Sequence, residues 1–233
     1  MKKILLIVLL LLIILCGIFY KQIMATIDFY QYQQENAETF AKATITWKEM
    51  PFTSTGSSGV ASEALIFGSL QFPVPFAATM KEGTDSAFAL GGAKSITISR
   101  SSTTADFFFV NSFAVGEKGV CQFLTKSSGL GACTSNYNLY RTFLELNETD
   151  IHIFTSIADK ELHNRIMLIR AETIPSNKIS GFETSRVTGF LFTIDSGNYI
   201  AHLFDNQDQM YEVTFTNLEQ ADVAFVLSNT TVI

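Results

Sequence analysis

The sequence predicts an α+β fold: an antiparallel sheet of about five to seven strands packed with helices, behind one N-terminal transmembrane helix. Three observations carry the prediction. Residues 4–20 hold no charge, residues 187–215 alternate apolar and polar side chains between short turns, and two stretches between residues 137 and 170 repeat apolar residues at helical spacing.

The uncharged run from residue 4 to residue 20 reaches roughly 26 Å as a helix, close to the hydrocarbon thickness of a bilayer. Lys2 and Lys3 precede it and Lys21 follows. Positive charge ahead of the span favours a cytoplasmic N-terminus, so the rest of the chain is expected outside the cytoplasm, in the periplasm or at the cell exterior. A cleaved signal peptide wants a shorter apolar region and a small-x-small exit, whereas Ile23-Met24-Ala25 has a small residue on one side only. A lipoprotein would carry lipid on Cys16, with Leu15 standing where a small residue is wanted. An uncleaved signal-anchor is therefore preferred. The expected organisation is an anchor over 1–22, a stalk helix and connection over 23–52, a Ser/Gly-rich loop over 53–62, and an extracytoplasmic domain over 63–233.

Beyond the anchor, 13 basic residues face 22 acidic ones, a net charge of −9 against −6 for the whole chain. Such a surface repels phosphate backbones, so no nucleic acid is expected as a partner. Two of the three cysteines, Cys121 and Cys133, flank a Ser/Gly-rich stretch and are expected to form a disulfide in an oxidising compartment. Free thiols are the competing reading. A redox centre would show Cys-x-x-Cys, and zinc would need more ligands than this pair supplies.

Residues 22–42 lack Gly and Pro, and Ile23, Ile27, Tyr30, Ala37 and Phe40 recur near helical spacing, so the anchor helix is expected to continue as a stalk. Residues 44–47 read as a short strand. Residues 65–72 read as another, ended by Pro73-Val74-Pro75, because proline donates no ladder bond. Residues 95–99 alternate cleanly, and 106–113 are apolar on both faces, as a central strand would be. Leu139, Phe143 and Leu146 mark a helix over 137–146. Ser156-Ile157-Ala158-Asp159 has capping-box spacing for a helix over 159–170 with Leu162, Ile166 and Ile169 as its buried stripe. Residues 151–154 fit a strand or a helical turn equally. Strands over 187–195, 199–204 and 210–215, joined by short turns, make a meander. Thr216-Asn217-Leu218-Glu219 offers a capping box for a last helix through Leu227, with a strand over 222–228 as the alternative. The layout of a Phe-Pro-Val-Pro-closed strand, then Ile96-Thr97-Ile98, then Tyr211-Glu212-Val213-Thr214-Phe215 leading into a final helix is similar to that of PsbP-type sandwiches, a likeness of pattern without a diagnostic motif.

No motif for catalysis emerges. Gly91-Gly92-Ala93-Lys94-Ser95 ends like a phosphate-binding loop, but Phe88 and Ala93 stand where that loop needs glycine. Gly56-Ser57-Ser58-Gly59 lacks the spacing of a nucleophile elbow. His152, His163 and His202 are scattered; His202 alternates with Ile200 and Phe204 and is expected to face the core as a structural histidine. Asp205 and Asp208 fit turn chemistry better than a calcium loop. No catalytic, cofactor or metal residue is therefore assigned. The expected function is a noncatalytic accessory or interaction domain of an envelope component, held by residues 4–20 in the membrane and engaging a protein partner. The alternative is a small-molecule or lipid-binding module with a pocket lined from the 21 phenylalanines. An enzyme whose groups meet only in three dimensions, around His202 or Asp159, is the third reading.

Overall fold

A computed structural model describes residues 2–48, 63–82, 86–100, 116–128, 131, 133–146, 151–152 and 155–233. The strand expected over 106–113 and the loop over 53–62 lie outside these residues. The chain divides into two compact units, one of residues 1–44 with 146–173 and one of residues 45–145 with 174–233.

The first unit is helical. Helix α1, Lys2–Glu35, is one unbroken rod carrying the apolar run, and α2, Ala37–Ala43, follows a break at Asn36. Asn36 Nδ2 turns back to donate to the Tyr32 carbonyl at 2.8 Å. One apolar helix in the described residues is long enough to cross a membrane. Helix α5, Ile157–Thr173, runs alongside α1 in the same direction: its Asn164 meets Gln33, and its Met167 packs with Phe40 and Ala43. Its start is legible in the sequence, since the Asp159 N–H donates to Ser156 Oγ at 3.1 Å, as a capping box requires. The expected stalk stripe is buried at Phe40 of α2 and open at its earlier positions. Ile23, Ile27 and Tyr30 are exposed, and the buried face of α1 carries Phe29 and Gln33. Polar Gln33 is admitted because its Nε2 donates to Asn164 Oδ1 at 3.3 Å.

The second unit is built on sheets. Its strands are β1 (Thr46–Trp47), β2 (Glu63–Phe67), β3 (Leu70–Val74), β4 (Thr79–Met80), β5 (Ala87–Ala89), β6 (Ser95–Arg100), β7 (Lys178–Glu183), β8 (Thr188–Asp195), β9 (Asn198–Phe204), β10 (Met210–Thr216) and β11 (Thr231–Val232). An eight-stranded sheet has the order β1-β7-β8-β9-β10-β6-β5-β4, and a three-stranded sheet the order β11-β3-β2. Two expectations are corrected here. The main sheet is mixed, because β1 pairs in parallel with β7, and the strands exceed the expected number because very short ones join its edges. Such strands carry too few residues to show a period of two.

The meander β8-β9-β10 stands where the alternation placed it. Residues 65–72, expected as one strand, fold as the hairpin β2-β3, because Gly68 adopts φ +60 and turns the chain after Phe67. Pro73 still sits inside β3, opposite Ala64 and beyond the short pairing with β11, where its missing N–H breaks no ladder.

Between the two sheets lies one hydrophobic core. Phe72 and Val74 of the small sheet meet Ile96, Ile98, Leu203, Val213 and Phe215 of the large one, with Val223, Val226 and Leu227 of the last helix, Gln220–Asn229 (α6). The capping box expected for α6 is corrected: Thr216 is still paired in β10 opposite Ser95, and Glu219 takes the cap position without a side-chain bond. Two further helices belong to this unit: α3, Gly116–Ser128, and α4, Asn136–Glu145. Helix α4 lies on the other face of the large sheet, where Tyr137 stacks on Phe190 at 5.4 Å. A helix α3 was not expected in the glycine- and serine-rich cysteine region, although Val120, Phe123 and Leu124 are spaced for one and are buried.

Candidate functional site

His202 is buried within the sheet unit. On β9 it points to the α4 side of the sheet with its cross-strand partner Phe190. Its Nδ1 lies 2.6 Å from Tyr140 Oη, and its Nε2 lies 3.2 Å from Glu212 Oε2 on β10. A carboxylate only accepts, so Nε2 carries the proton and donates to Glu212. Burial pushes the Tyr140 phenol well above its usual range, with the Glu212 charge adding to the effect. The phenol thus keeps its proton and donates to Nδ1. The hydrogen bond from His202 holds the Glu212 carboxyl below its usual range, against an opposing effect of burial. This order of protons is complete, and both Tyr140 and His202 are buried among Phe143, Phe190, Phe192 and Phe204. It ties α4 to the sheet.

The other sequence candidates also have structural occupations. Asp205 Oδ1 accepts the N–H groups of Gln207 and Gln209 at 2.9 Å each, the expected turn chemistry, while Oδ2 accepts Ser69 Oγ at 2.7 Å. Asp208 does something local reading missed: its carboxylate accepts the backbone N–H groups of Asn136 and Tyr137, capping α4 from 71 residues away. The glycines of the Gly91-Gly92 stretch make the β5–β6 turn, both at positive φ. Lys94 after them stands 3.6 Å from Asp222 and 4.2 Å from the centre of the Phe76 ring. Cys121 and Cys133 stand at disulfide distance, their Cα atoms 5.7 Å apart. Among the described residues no group of three or more His, Cys, Asp or Glu side chains is placed to hold a metal ion.

The helical unit offers more. A cleft of about 400 Å³ opens between α1 and α5. Ala25, Phe29 and Leu168 give it an apolar lining, and Asp28, Glu161 and Arg165 bring exposed charges. Lys160 also lines it, buried, with its ammonium donating to the Thr155 carbonyl at 3.0 Å; burial lowers its pKa from the ordinary lysine value.

Helix α1 beyond the apolar run has three distinct faces. The first, with Phe29 and Gln33, packs on α5. A second carries Lys21, Asp28 and Glu35 at seven-residue intervals, so one side of the helix holds all its charges outside the first two lysines. The third carries Tyr20, Ile23, Ile27 and Tyr30, which are 63%, 42%, 43% and 45% exposed. It is apolar, uncharged and open.

Compared with protein-family models, with curated proteins and with solved structures, the chain matches nothing.

Proposed function

We propose that this protein is a noncatalytic, membrane-anchored interaction module whose partner is a protein of the same membrane. The observation that carries the proposal is the third face of α1. With residues 4–20 in the hydrocarbon, Ile27 and Tyr30 stand about 10 and 15 Å beyond Tyr20 along the helix axis. The headgroup layer is only about 5–7 Å deep, so lipid cannot cover them. Apolar side chains at spacing 20, 23, 27, 30 form the stripe with which one helix meets another. A partner helix crossing the same bilayer reaches that stripe without leaving its own path.

The test is extraction of the full-length protein from native membranes in mild detergent, with identification of what co-purifies in near-equal amount. A stoichiometric membrane protein is expected with the wild type and with Glu35→Gln on the charged face. It should be lost with Ile27→Glu combined with Tyr30→Glu. Recovery of a lone monomer from every preparation would overturn the proposal.

A second reading, ligand binding, has one observation in its favour. Its pocket was expected among the core phenylalanines, but the cleft of about 400 Å³ lies between α1 and α5, within the size range of small-molecule sites.

A further inference from the structure

The cleft between α1 and α5 begins at Ala25, about 7.5 Å along the helix axis beyond Tyr20, and therefore opens at the outer edge of the headgroup layer. Among the described lining residues, Asp28 and Glu161 bring negative charge and Arg165 positive charge, while the buried Lys160 ammonium is committed to the Thr155 carbonyl. A molecule carrying both charges meets a partner of each sign there. Asp28, Glu161 and Arg165 form no ion pair with another described residue, so their charges are available.

We infer that the cleft binds the zwitterionic headgroup of a phospholipid of the adjoining leaflet, one bearing a primary ammonium. This deepens the ligand-binding reading and rests on it. Arg165 supplies the planar fork of donors that suits a phosphate. Asp28 and Glu161 are acceptors for an ammonium that can donate. A quaternary ammonium has no N–H to give them, and it is recognised instead by a cage of aromatic faces. Among the described residues, the rings on the lining are those of Phe29 and Tyr32, too few for such a cage. An anionic headgroup without an ammonium would leave the two carboxylates facing like charge. The apolar lining of Ala25, Phe29 and Leu168 accepts the glycerol region, while the acyl chains stay in the bilayer.

The experiment uses the full-length protein in maltoside micelles, titrated calorimetrically with dihexanoyl phosphatidylethanolamine, phosphatidylcholine and phosphatidylglycerol, and with inorganic phosphate. Saturable one-site binding of the ethanolamine lipid is expected, about tenfold tighter than the other two lipids, with none of free phosphate. Arg165→Ala and Asp28→Asn should each weaken it about tenfold, and Ala25→Trp, which fills the cleft, should abolish it. Arg186→Ala, in the sheet unit, should bind like wild type, with helicity of every variant checked by circular dichroism. Equal binding of the three lipids, or an Arg165→Ala variant of wild-type affinity, would overturn the headgroup assignment. Absence of any binding by the wild type would overturn the ligand reading with it. Neither result bears on the protein partner of the third face of α1, which is read by co-purification.

Discussion

Gly189 shows how one residue can limit the whole sheet. It sits on β8 between Phe182 of β7 and Leu203 of β9. A methyl group built there would collide with the His202 backbone carbonyl and come within 2.8 Å of the Phe182 ring. A ring tip can shift; a ladder carbonyl cannot move without breaking pairing. Gly189→Ala should therefore cost about 3 kcal/mol, at the top of the range for overpacking, and denaturant unfolding will measure it. A variant within about 0.5 kcal/mol of wild type would show that the strands have room the geometry denies. Arg170 makes a related point inside the helical unit. It is buried, its Nη1 donates to the Leu146 carbonyl at 2.7 Å, and desolvation brings its pKa down to about 10.

At the scale of elements, helix ends decide more than helix interiors. Helix α4 is ten residues long, too short to persist alone in water. Its first N–H groups are satisfied by Asp208, a residue of the β9–β10 turn held at φ +60. That one side chain couples a hairpin to a helix. Asp208→Ala should destabilise the protein by about 1–2 kcal/mol, the usual cost of losing a cap. Asp208→Asn should retain part of it, since its one amide oxygen keeps one of the two N–H bonds that the two carboxylate oxygens accept, without the charge that favours a helix N-terminus. A loss below about 0.5 kcal/mol from Asp208→Ala in denaturant unfolding would show that the cap carries no stability. Helix α4 also has a cap next door, Ser135 Oγ accepting the Asn138 N–H at 3.0 Å, as Ser156 does for Asp159 of α5; what the sequence does not show is the distant carboxylate.

For the molecule as a whole, the Cys121–Cys133 pair belongs to the sheet unit and closes a segment of sequence separation 12. It joins α3 to the entry of α4. In the chain-entropy picture, closing a loop of this length stabilises the fold by about 3 kcal/mol. Replacing both cysteines by serine, or adding reductant to the wild type, should lower the unfolding midpoint by a matching amount. If reductant leaves that midpoint unchanged, the cysteines are free thiols in solution. The pair fits an oxidising compartment, and the long apolar α1 fits a membrane beside it.

The sequence by itself determined the features whose cause is local. Seventeen uncharged residues make a span-length helix whatever follows; alternation between Thr188 and Thr216 makes a meander because each strand's turn is its neighbour; Ser156 announces α5 because cap and helix are adjacent. Tertiary structure decided whatever depends on a distant partner. The two-residue strand β1 exists through its pairing with β7, more than a hundred residues away in sequence. The buried face of α1 was not its most apolar one, because α5 offers Asn164 to Gln33 and a His163 edge to Phe29, and leaves Ile23, Ile27 and Tyr30 outside. The cleft was illegible for the same reason: Asp28 and Arg165 are ordinary charges on two helices until packing makes them line one cavity. Periodicity tells how apolar a face is, but only the neighbour's side chains decide which face is buried.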